Sequence, residues 1–174
     1  VVNQRYDTVR RSVLRDHFWN AAKSRVQLPA LTNAPAFGWD RQFQLPSDFL
    51  RMVRINGLYP FHARYVIEGE NILTDMAAPL NLIYVRDEQD PSVWDALLVE
   101  AVAERLGAEI AMPITQSIDL RDRAWQLYRQ KLQDARTADA MDEPAGEFEA
   151  DLWLRSRLRG TGPLPDYHFR DIDT

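Results

Sequence analysis

The feature that most constrains this chain is a change of hydrophobic period at Asp90-Pro91. Upstream, apolar and polar residues alternate, the period of a half-buried strand. Phe37, Trp39, Phe43 and Leu45 make one such run, and Leu45-Pro46-Ser47-Asp48 closes it with turn chemistry. Leu50 to Ile55 reads as a second strand. Arg64 to Glu68 and Asn71 to Asp75 flank Gly69-Glu70 as a hairpin. Pro79 to Val85 adds another strand, with Leu80, Leu82 and Tyr84 on one face and Ile83 and Val85 on the other. The expectation is a small, mostly antiparallel sheet over residues 37–86.

Downstream, apolar residues recur every three to four positions. Asp90 is a suitable N-cap and Pro91 a suitable first helical residue, because the proline N–H would have no partner there. Trp94, Leu97, Leu98, Ala101, Val102, Leu106 and Ile110 form a wide stripe, and Pro113 is expected to end the helix, giving bounds of 91–112. Thr115 or Ser117 caps a second helix, 116–138, carrying Leu120, Ala124, Leu127, Tyr128, Leu132 and Ala135. A short connection predicts an antiparallel hairpin. Val2, Tyr6, Val9, Val13 and Phe18 predict a further helix over 1–25, with no capping residue before Val1, so its start is expected upstream. The expected class is α+β: a bundle of the N-terminal helix and the helical hairpin, with the sheet inserted between them.

From residue 141 the pattern changes. Asp142, Glu143, Glu147, Glu149 and Asp151 precede Leu152-Trp153-Leu154, then Arg155, Arg157 and Arg159, with Gly160, Gly162, Pro163 and Pro165 following. So few regular apolar positions cannot form a core, and 141–174 is expected to be an extended arm. Its large anchors are Phe148, Trp153, Tyr167 and Phe169. Spaced anchors in a polar segment suit docking on a neighbouring subunit or packing on its own domain.

Catalytic patterns are sparse. His17, His62 and His168 lack a second histidine at metal-ligand spacing, and there is no cysteine, so neither a metal nor another cofactor is expected. No nucleophile elbow, P-loop or dinucleotide fingerprint occurs. Asp48, Glu68, Asp75 and Asp87 fall near strand ends, where paired acids could act on glycosides, but nothing in the sequence pairs them. The run Asp87, Glu88, Asp90 reads as negative charge at a helix N-terminus. Arg11 and Arg15 of the first helix are read as facing a neighbouring subunit. A net charge of −5 argues against general coating of nucleic acid. No stretch reaches the roughly 18 apolar residues that span a bilayer.

Taken in order, these pieces resemble a known family. Phe18-Trp19-Asn20-Ala21-Ala22 leading into a basic end, Phe43-Gln44-Leu45-Pro46-Ser47-Asp48, the hairpin Tyr65-Val66-Ile67-Glu68-Gly69 with Ile72-Leu73-Thr74-Asp75, and Leu82-Ile83-Tyr84-Val85 before Asp90-Pro91-Ser92 are similar to the phage tail tubular protein A family. The resemblance covers about residues 6–140. It implies a head-to-tail connector adaptor of the virion, assembled in the host cytoplasm without a membrane. It further implies a ring, expected to be a dodecamer, between portal protein and tail nozzle protein, with tail fibres as a further candidate partner. DNA would pass through its channel without sequence-specific contacts, and the subunit would not be an enzyme. Contact residues expected from this reading are Arg11, Arg15, Phe148, Trp153, Arg155, Arg157, Tyr167 and Phe169. Two rival expectations stand beside it, a tail-associated hydrolase of a cell-envelope polymer and a monomeric binding protein.

Overall fold

The computed structural model describes residues 2–142 and has an α+β fold. Helix α1 (Val2–Asp16) is followed by strands β1 (Lys23–Leu28), β2 (Arg41–Gln44), β3 (Phe49–Ile55), β4 (Tyr65–Glu68), β5 (Asn71–Thr74) and β6 (Leu80–Arg86). Helices α2 (Ala96–Thr115) and α3 (Ile118–Asp142) complete the described chain. All strand pairs are antiparallel, but they form two sheets of three rather than one, ordered β1-β6-β3 and β2-β5-β4. The division follows from β6, which is central in the first sheet and apolar on both faces. Leu80, Leu82 and Tyr84 pack toward Phe43 and Ile72 of the second sheet, and Val85 and Ile83 pack toward the helices. The described chain is therefore three layers, with the first sheet between the helices and the second sheet.

The first helix ends at Asp16, nine residues short of the expected Arg25. Trp19 is buried, and its Nε1 donates to the Val13 carbonyl at 2.9 Å, occupying a carbonyl that another helical turn would need. A turn of 3₁₀ helix at Asn20–Ala22 then leads into β1, whose six residues all pair with β6. The segment 28–36 is a loop only beyond Leu28, the last residue of β1. The expected strand from Phe37 starts instead at Arg41. Phe37 is 89% exposed, and Gly38 at φ 83° takes a left-handed conformation that breaks the extended run.

Asp90 and Pro91 open only a 3₁₀ turn, Asp90 accepting from Ser92 N at 2.9 Å. The helix proper starts five residues later than expected, at Ala96, capped by Asp95 accepting from Leu97 N at 2.8 Å. Pro113 does not end it. In the last turn a proline forfeits one backbone bond, and the helix runs on to Thr115, where Gln116 at φ 53° closes it. Ser117 Oγ accepts from Leu120 N, as the expected cap does, and α3 continues past 138 to Asp142. The hairpin is antiparallel: Lys131 pairs with Glu100 at 2.7 Å, and the Arg105 guanidinium lies over Trp125 and Tyr128.

Candidate interaction surfaces

An ion cluster fastens α1 to the end of β6. Arg10 Nε and Nη2 donate to the two carboxylate oxygens of Asp87 at 2.9 and 3.1 Å, a two-pronged geometry. Arg11 Nε adds a third bond to Asp87 at 2.8 Å, and Arg10 Nη1 reaches Asp7 at 2.7 Å. The side chains of Arg10 and Asp87 are 5% and 2% exposed. Burial pushes the Asp87 carboxyl up, but the bonds from Arg10 and Arg11 outweigh it and hold the group below the usual carboxylate range. The hydrogen bond to Asp87 raises Arg10 in turn. The expected helix-terminal role of Asp87 is thus replaced by an internal one, and Arg11 is engaged within its own chain.

The four carboxylates near strand ends do not converge as catalytic pairs. Asp48 and Asp87 adjoin through a backbone bond of 2.7 Å, yet Asp48 accepts from the Tyr84 hydroxyl while Asp87 takes the two arginines. Asp75 pairs with exposed Arg64, and Glu68 lies on edge strand β4. Among the described residues, no group of three His, Cys, Asp or Glu side chains could hold a metal, and no helix is long and apolar enough to cross a membrane.

Arg15 lies at the mouth of a groove of about 490 Å³ between the two edge strands β3 and β4, walled by Phe18, Tyr59, Phe61, Tyr65 and Ile67. Its guanidinium donates to the Leu50 carbonyl. Arg51 crosses the same groove, lying over the Phe18 ring and donating to the carbonyls of Arg15 and Asp16. Tyr59 and Phe61 stack at 5.5 Å between centroids, with Phe61 exposed. Behind them, Arg54 lies over Tyr59 and donates to its hydroxyl.

A third surface is the tip of the α2–α3 hairpin. Met112, Ile114, Ile118 and Leu120 are all exposed within one turn-and-cap stretch, Ile114 at 64%. The sequence pattern assigned Leu120 to the packed stripe, but among the described residues it is exposed. The other expected contact residues, Phe148, Trp153, Arg155, Arg157, Tyr167 and Phe169, lie outside the described residues. No protein-family model matches the chain, and no curated protein matches it.

Proposed function

We propose that this chain is a structural subunit of a tailed-phage neck, a ring-forming adaptor joining portal to tail nozzle and forming part of the DNA channel. The order of motifs over residues 6–140 supports this reading. One structural observation carries it: among the described residues, the hairpin ends in four large apolar side chains that are all exposed. Large apolar side chains exposed together at a helical tip are suited to burial against another protein. The expected site in this reading is an interface, with ring closure supplied by heterologous contacts between twelve copies. The subunit performs no chemistry and needs no cofactor. Its net charge of −5 suits a channel wall past which DNA slides, since dense phosphate contacts would hold it. Negative-stain microscopy of the chain mixed with a tailed-phage portal tests the proposal. Rings stacked coaxially on the portal are expected, and isolated small particles beside bare portals would contradict it.

A further inference from the structure

The register of the first sheet places an arginine on either side of one residue of β6. Arg25 of β1 and Arg54 of β3 both stand opposite Ile83 of β6, one from each side. Two strand spacings separate them, roughly 10 Å. Both line one shallow depression of about 500 Å³, with Gln27, Gly57 and Asn81 around them. Arg51 stands two register pairs further along, opposite Val85, and Arg15 adjoins it. Among the described residues, none of these four arginines has a carboxylate partner. Arg15 and Arg51 donate to backbone carbonyls and Arg54 to a hydroxyl. The positive charge of this face is therefore not neutralised by the described part of its own chain.

The same sequence contains a complementary segment. Residues 142–151 hold five carboxylates, Asp142, Glu143, Glu147, Glu149 and Asp151, and no lysine or arginine. Phe148 lies among them, and Leu152-Trp153-Leu154 follows directly. We propose that residues 142–154 of a second copy of this chain dock on this face. The carboxylates meet Arg25, Arg51 and Arg54, and the aromatic side chains enter the neighbouring groove between β3 and β4. That groove supplies what an extended peptide uses: apolar walls and the open edges of two strands. A basic face and an acidic segment at different places in one sequence make a heterologous contact, the kind that passes from copy to copy and closes a ring. The pairing of aromatic side chains with an apolar groove favours a peptide over nucleic acid, whose duplex backbone would use the arginines alone.

The chain has no cysteine, so single cysteines report contacts cleanly. Full-length copies carrying Ala150→Cys and a small tag are mixed with untagged copies carrying Gln27→Cys, and disulfide-linked heterodimers are counted on a gel. Prompt linkage is expected, lowered about tenfold by Arg25→Glu with Arg54→Glu and regained when Glu149→Arg and Asp151→Arg are placed in the tagged copy. Unchanged urea midpoints show that these surface variants fold. Absence of linkage between separate copies overturns the proposal, as does linkage confined within single chains that carry both cysteines. Retention of a single-stranded or duplex oligonucleotide that depends on Arg25 and Arg54, without linkage, also overturns it in favour of nucleic acid. The inference rests on the self-assembling reading, and the two fail separately: a chain that sediments as a monomer removes both, whereas an assembled chain without linkage removes only this one.

Discussion

The α2–α3 hairpin has two unlike ends. At its inner end, Asp139 accepts from Asn20 N at 2.8 Å and bonds His17 Nε2 at 3.1 Å, while its own carbonyl accepts from Asn20 Nδ2 at 2.9 Å. Arg136 pairs with Asp16 nearby, and Tyr128, Leu132 and Ala135 are buried in the core cluster that also holds residues of α1 and α2. At its outer end, Met112, Ile114, Ile118 and Leu120 are left exposed among the described residues. Burying a Leu or Ile side chain contributes about 1.5–3 kcal/mol, so the inner end stabilises the fold and the outer end leaves a comparable gain unrealised. Periodicity marks which residues could be buried, and the reach of the neighbouring elements decides which ones are.

The contrast can be tested by substitution, starting where the loss should be greatest. Asp87→Ala removes the buried partner of Arg10 and leaves it only the exposed Asp7, and should cost about 3–5 kcal/mol in urea unfolding. The pH dependence of this group has a definite sign. Its folded-state carboxyl titrates below its unfolded value of about 3.9, so its contribution is complete above that pH and lost as pH falls through the lower folded value. The stability gap between the native chain and Asp87→Asn should therefore narrow only below about pH 4, as followed by denaturant midpoints. Next, Leu132→Ala should cost about 2–5 kcal/mol by the same unfolding assay, through lost burial and the cavity left behind. Asp139→Ala should cost about 1–3 kcal/mol, since it strands the Asn20 N–H and the His17 ring nitrogen. At the tip, Ile114→Asp with Ile118→Asp should move stability by no more than about 0.5 kcal/mol. A large loss there would mean that the tip is already covered, and the contrast would collapse.

Much of the fold was legible in the sequence, and the exceptions have physical causes. The alternation of Leu80, Leu82 and Tyr84 against Ile83 and Val85 assigned each side chain of β6 to the core that receives it. The Gly69-Glu70 hairpin and the Ser117 cap were equally readable, because their chemistry is local. β1 was missed although its signal was present. Lys23, Arg25 and Gln27 alternate with Ser24, Val26 and Leu28, a period of two, but the preceding period of 3.6 ran into it without a proline or glycine to mark the boundary. The basic face was missed with it, since Arg25 and Arg54 are neighbours only through the register with β6. The Arg10–Asp87 lock could not be read either: its partners lie 77 residues apart, and neither residue type announces burial. Pro113 misled because α2 absorbs the loss of the one bond its missing N–H would make, and Gln116 still closes the helix through the Met112 carbonyl.

The proposed assembly requires the exposed Met112, Ile114, Ile118 and Leu120 of the hairpin tip to be buried against another protein. Sedimentation velocity of the full chain, alone and with portal, compares the native sequence with Ile114→Asp plus Ile118→Asp at equal concentration. The account predicts a large closed assembly for the native chain, and a folded monomer with an unchanged unfolding midpoint for the variant. A variant that assembles as fully as the native chain, or a native chain that stays monomeric with every portal supplied, would contradict it.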